Sequence, residues 1–314
     1  MINISKKFII LTILILSITV VFTGCENNEK DMLDLAASIE FLERDDGIHA
    51  LEEEYGFEFG ENNIQTMEVG LSYSALNEGE VAVAMGFATD GRIPAFDLVI
   101  LEDNKNFFPV YNPAPTINQE ILEAYPELEE IINQLPPLLD QETLPQLNQE
   151  VDIDERAPVE VARDFLEENE LLGDSEEEKE GPTIGIGSKA WTEQLILGNL
   201  LVELLESHGY PVNDRTGLGE TPVLRNAMES GEIDLYWEYT GTVLMTVMED
   251  EEITEADEAY QRVKEWDETE NDIIWLDYAS ANNTWTLMML EEKAEELGIE
   301  TISDLADHIN ELKN

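Results

Sequence analysis

The spacing of apolar residues changes along this chain, and each change marks an element. Phe8 to Phe22 is an almost unbroken apolar run of fifteen residues behind Lys6 and Lys7. That is short for a bilayer span, which needs about 20 residues, and suits a signal-peptide core. Far downstream, Pro158 to Leu172 places Val159, Val161, Ala162, Phe165 and Leu166 on one stripe and predicts an amphipathic helix. Thr183 to Gly187 predicts a short buried strand that runs into a loop. Thr192 is set to cap a helix reaching Ser207, because Leu195, Ile196, Leu200, Leu201, Leu204 and Leu205 recur at helical spacing before Gly209. Pro211 to Thr216 begins the next strand. Strand, helix and strand joined by short loops predict a parallel sheet covered by helices, an α/β architecture.

One internal echo ties this pattern to function. Ala227-Met-Glu-Ser-Gly-Glu-Ile-Asp-Leu-Tyr-Trp-Glu-Tyr239 aligns with Ala75-Leu-Asn-Glu-Gly-Glu-Val-Ala-Val-Ala-Met-Gly-Phe87 at a constant offset of 152. Each copy reads as a helix end, a Gly-Glu turn and a strand. Tyr239 and Phe87 occupy the same place, the strand's carboxyl end, and ligands of open parallel sheets bind outside the carboxyl ends of strands. Two related lobes would therefore each present one ring to a cleft between them.

Composition changes the picture in two ways. The chain has 71 acidic and 16 basic residues and a formal net charge of −55. Such a surface repels nucleic acid and anionic lipid, and molar salt would screen its self-repulsion to about 3 Å, so a halophilic setting is expected. Cys25 is the only cysteine, which excludes an intramolecular disulfide. It follows Phe22-Thr-Gly, a lipobox-like end. Cleavage before Cys25, a diacylglycerol on its sulfur and a polar tether to Asp31 are expected, with residues 1–24 as signal peptide and 25–31 as tether.

From Thr183 onward, several motifs stand together: Ser188-Lys-Ala-Trp-Thr-Glu-Gln194, Thr216-Gly-Leu-Gly-Glu-Thr221, Ser230-Gly-Glu-Ile-Asp234, Glu238-Tyr-Thr-Gly-Thr242 and Asn282-Asn-Thr-Trp285. They resemble the first part of the glycine betaine, carnitine and choline binding proteins that feed ABC importers. Residues 32–172 resemble that family's last part, through Glu40-Phe-Leu-Glu-Arg-Asp-Asp-Gly47, Thr89-Asp-Gly-Arg-Ile93, Leu98-Val-Ile-Leu-Glu-Asp103, Phe107-Phe-Pro109 and Tyr125-Pro-Glu-Leu128. The resemblance implies a two-lobed α/β fold of the periplasmic-binding-protein type II, circularly permuted. One lobe is expected to take residues 106–287, with the permutation joint in the run at about 173–182, whose charge and Gly/Pro content are those of a solvated linker. The other combines 32–105 with 288–314.

The resemblance also implies the ligand and its partners. A quaternary ammonium donates no hydrogen bond and is held by aromatic faces. Tyr239, Trp285, Phe87 and Tyr111 match the family's aromatic cage, with Trp285 and Phe87 standing where tyrosine is more usual. Lys189 and Arg44 are candidate counter-charges for a ligand carboxylate and Thr242 a hydroxyl donor; Arg44 could instead pair with Asp45 or Asp46. Gln194 is open to either ligand contact or loop support, and Trp191, in place of a phenylalanine, is assigned to the core. No cofactor is implied. The expected partners are the osmolyte, the permease subunits and, through the lipid, the membrane, with the protein a monomer on the extracytoplasmic face, periplasmic or cell-surface.

Two rival classes account for less of the sequence. For an enzyme, His49, His208 and His308 are scattered without metal-ligand spacing, and neither a Gly-x-Ser-x-Gly elbow nor a phosphate-binding loop occurs. An acidic envelope protein binding calcium or another small solute explains the charge and leaves the aromatic motifs unexplained.

Overall fold

In a computed structural model of the protein, the residues described are 33–43, 47–175, 179–250 and 253–313. The apolar leader, Cys25, its tether and Arg44 lie outside them, so the expectations attached to them do too. None of the described helices is long and apolar enough to cross a membrane.

Two five-stranded sheets organise the described chain. The first contains β1 (Leu35–Ala37), β2 (Ile64–Thr66), β3 (Val83–Phe87), β4 (Leu98–Ile100) and β10 (Trp285–Leu290), in the order β2-β1-β3-β10-β4. The second contains β5 (Pro113–Asn118), β6 (Ile184–Gly187), β7 (Val212–Arg215), β8 (Leu235–Tyr239) and β9 (Ile273–Trp275), in the order β7-β6-β8-β5-β9. The two orders are the same. In each sheet the third strand is central, and its antiparallel neighbour arrives from the other sheet: β10 beside β3, and β5 beside β8. The chain therefore crosses between lobes twice, at 101–112 and 276–284.

Side chains alternate across each strand, so the first sheet has a core on each face. Leu35, Ala37, Val83, Met85, Leu287 and Met289 enter one cluster, while Ala36, Ala84 and Met288 enter the other with Tyr73 and Leu76. That alternation places Trp285 and Leu287 with the first lobe, so the division expected at 287 and 288 falls inside β10. In the second sheet, Ile184, Ile186, Leu235 and Trp237 pack under the helix Thr192–Ser207. The echo between the halves is structural: β3 and β8 occupy equivalent positions in the sequence repeat, each after a glycine at positive φ, Gly79 (72°) and Gly231 (69°).

Three local expectations need adjustment. The helix expected over 158–172 ends at Glu168, and Leu171 and Leu172 pack as irregular chain against the second core. Thr192 does not cap its helix; Trp191 is the cap residue, and the Thr192 hydroxyl instead donates to Asp152 (2.5 Å). The run about 173–182 is not simply solvated on either side of 176–178. Gly173 N donates to Ser207 Oγ (3.0 Å), and the Lys179 ammonium reaches Glu127 and the Tyr210 hydroxyl, each at 3.0 Å. The last helix, Ile302–Leu312, has a Thr301/Asp304 capping box and packs on the helix Ile48–Tyr55 of the first lobe.

Candidate functional site

The carboxyl ends of the two central strands face one cleft, and the crossover strands complete it. Phe87 ends β3 and pairs in register with Trp285, the first residue of β10. Tyr239 ends β8 and pairs with Pro113, the first residue of β5; Tyr111 lies two residues upstream on the same crossover. Gly241 is why Tyr111 fits: a Cβ there would meet the Val110 carbonyl (2.5 Å) and the Tyr111 ring (2.7 Å). The crossovers are tied to each other, with Tyr111 N donating to Asn282 Oδ1 (2.7 Å) and Asn283 N to Tyr111 O (3.1 Å).

A cavity of about 860 Å³ opens between these elements. Phe87, Trp285, Tyr111, Tyr239, Thr242 and Lys189 all line it, joined by Trp191, Asp90, Arg92, Asp152, Glu220 and Asn283. Its aromatic walls are two stacks. In the first lobe Phe87 lies 4.7 Å from Trp285, which stacks on Phe41 at 5.7 Å. In the second, Trp191 stacks on Tyr239 at 5.7 Å with 21° between planes. Trp191 is thus not the core residue assigned from sequence: it is 37% exposed on the cleft wall.

The second wall stands on buried charge. Lys189 and Glu238 form an ion pair of 2.7 Å, with side chains 5% and 0% exposed. Glu238 also accepts from Tyr239 N (2.8 Å) and the Tyr236 hydroxyl (3.2 Å). The Lys189 ammonium sits 5.2 Å from the Tyr239 ring centroid. The picture of Lys189 as a bare counter-charge changes accordingly, because its charge is already matched inside the protein. Glu193, wholly buried, accepts from the Tyr239 hydroxyl (2.6 Å), Asn283 Nδ2 (3.0 Å) and Asn148 Nδ2 (2.8 Å). Burial pushes its carboxyl above the ordinary value, while those hydrogen bonds pull the other way. Burial, and then the Glu193 charge, push the Tyr239 hydroxyl well above its usual range, so it remains a donor. Asn148 also donates to Thr89 O (2.7 Å) just beyond β3, which carries the network into the first lobe.

Of the two roles open to Gln194, the geometry supplies loop support. It is fully buried, accepts from Lys189 N (3.3 Å) and donates to Trp237 O (3.1 Å). Sequence reasoning passed over Arg92, whose place in the Thr89–Ile93 motif was the available signal. Arg92 clamps Asp90 through Nε (2.7 Å) and NH2 (2.5 Å), donates to Gly70 O (3.1 Å) and lies over the Tyr73 ring at 4.4 Å. Among the described residues no group of three His, Cys, Asp or Glu is placed to hold a metal ion.

Two α/β lobes bridged by two crossovers, with rings from both lobes facing one cleft, define a two-lobed solute-binding protein. The family model for the substrate-binding domain of ABC-type glycine betaine transport systems matches residues 26–168 and 182–314. The chain belongs to that family, whose members are solute-binding domains and not enzymes. It is similar to a glycine-betaine-binding protein of Pseudomonas aeruginosa, 39% identical over 137 residues, 44% of each chain. The glycine betaine-binding protein YehZ of Escherichia coli K12 is 39% identical over 130 residues, 41% of this chain and 43% of its own. The carnitine transport binding protein OpuCC of Listeria monocytogenes is 39% identical over 139 residues, 43% of this chain and 44% of its own. The chain thus spans somewhat less than half the length of the curated relatives it matches. A solved glycine betaine/carnitine/choline ABC transporter structure matches at 35% identity and a TM-score of 0.40, over 46% of this chain and 52% of that one.

Proposed function

We propose that this protein captures a quaternary ammonium osmolyte such as glycine betaine, choline or carnitine outside the cytoplasm and delivers it to an ABC permease. In this reading it acts as a monomer held to the membrane by a lipid on Cys25. The observation that carries the proposal is the convergence of Phe87 and Trp285 from one lobe and Tyr239 from the other, with Tyr111 from a crossover, on a single cavity. Aromatic faces divided between lobes attract a methylated cation and let hinge closure complete the enclosure. Thr242 lines the same cavity as a hydroxyl donor. Calorimetric titration with glycine betaine, choline, carnitine and calcium tests the reading. Heat from the methylated amines is expected, and Tyr239→Ala should weaken their binding by ~1–2 kcal/mol. Heat from calcium alone would sink it.

The chain is further proposed to be a circular permutation of the family order. Support comes from the family match, which breaks only at 169–181 between its two segments, where the helix Pro158–Glu168 has ended and β6 has not begun. The C-terminal helix also returns to the lobe that holds β1, and termini that lie on one lobe allow the joint to move without severing buried contacts. Because the two sheets share one strand order, exchanging the halves leaves the topology unchanged. A gene rebuilt to start near residue 182, with 314 joined to 33 and the chain ended at 168, should give a protein that folds and binds the same osmolyte. An insoluble product from that gene, beside a soluble parent, would count against the permutation.

A further inference from the structure

Trp191 has the most accessible ring among the aromatics of the cleft. It is 37% exposed, against 8% for Trp285 and 3% for Tyr239, while Phe87 and Tyr111 are half-buried. We propose that the Trp191 indole is the surface with which the second lobe touches the quaternary ammonium, and that Tyr239 is the ring that backs it. The inference rests on the functional reading above and specifies the chemistry of its site.

The surroundings of Tyr239 limit what it can offer a ligand. Trp191 is stacked on its ring, and the Lys189 ammonium already stands 5.2 Å from the ring centroid. A second cation brought against that ring finds one face stacked on Trp191 and the Lys189 ammonium already beside it. Its hydroxyl is bound to Glu193 at 2.6 Å. Trp191 stands differently. Stacking covers one side of its indole, and the remainder lines the cavity. The backbone around it is pinned: Lys189 N donates to Gln194 Oε1, Leu195 N donates to Trp191 O (3.0 Å), and the Thr192 hydroxyl bonds Asp152. A fixed indole loses little rotamer freedom on binding, and among side chains it attracts cations best. Asp152 and Glu220 line the same cavity and add negative potential around it.

The test compares Trp191→Phe with Trp191→Leu in the full chain, titrated calorimetrically with choline and with glycine betaine. Phenylalanine keeps a π face; leucine keeps apolar bulk without one. Trp191→Leu is expected to weaken both ligands about tenfold or more and Trp191→Phe by roughly threefold at most. Acrylamide quenching provides a reading on the unmutated protein. Trp285 lines the same cavity but is only 8% exposed, so ligand should shield the indoles of the parent strongly and those of Trp191→Phe much less. Equal affinities for the leucine and phenylalanine variants, or shielding undiminished without Trp191, would overturn the inference while leaving the functional reading intact. A parent protein that binds neither ligand would overturn both.

Discussion

The two walls of the cleft occupy equivalent backbone positions and are stabilised by opposite means. In the first lobe, Phe87 stands on Trp285 and Trp285 on Phe41, a column of rings resting on an apolar core. In the second, Tyr239 sits among Lys189, Glu238 and Glu193, a set of charged side chains withdrawn from water. Ring stacking tolerates changes of ring; a buried ion pair does not tolerate loss of one partner, since the other charge is then left without compensation. A shared topology has thus been finished once with dispersion and once with electrostatics.

The largest expected effect lies in the charged wall. Glu238→Ala strands the Lys189 ammonium and should lower unfolding free energy by ~3–5 kcal/mol in urea titration. Phe41→Leu in the ring wall should cost about 1 kcal/mol. Equal losses would erase the contrast. A smaller difference separates the two strand ends. Tyr239→Phe removes a donor to a buried carboxylate and should cost ~1–2 kcal/mol, whereas Phe87→Tyr places a hydroxyl at the cleft and should stay within about 0.5 kcal/mol. A costlier change at Phe87 would mean the first wall also depends on polar contacts.

The mildest test is a slope with pH. Burial raises the Glu193 carboxyl above its ordinary 4.5, so the folded chain binds that proton more tightly than the unfolded chain. Stability from this group is therefore full below the unfolded value and is lost as pH rises through the folded one. Compared with Glu193→Gln, the parent should lose stability as pH rises above the ordinary carboxyl value of 4.5. Parallel stability curves for the two proteins would show that Glu193 does not titrate differently on folding.

What could be seen in the sequence was what repeats locally. The Gly-Glu turn and the strand after it recur at an offset of 152, and β3 and β8 begin and end at positions related by that offset. Helical spacing likewise located the helix Thr192–Ser207. The supports of the site were hidden because they join residues far apart. Lys189 and Glu238 are 49 positions from each other, and Tyr239 and Glu193 are 46. Nothing periodic announces such pairs in a chain with 71 acids. Trp191 misled for a related reason: an aromatic beside an apolar helix looks like core until the fold shows it stacked on Tyr239 at the wall of the cleft. Gln194 could be settled only by seeing the Trp237 carbonyl it holds.

The threading of the first sheet carries a consequence for synthesis. β10 lies between β3 and β4 and bonds to both, so that sheet lacks an inner strand until residues 285–290 emerge from the ribosome. The second sheet, by contrast, is encoded in one uninterrupted stretch, 113–275. The half translated first is consequently the half finished last, and during elongation its open edge must be spared from wrong partners for nearly two hundred residues.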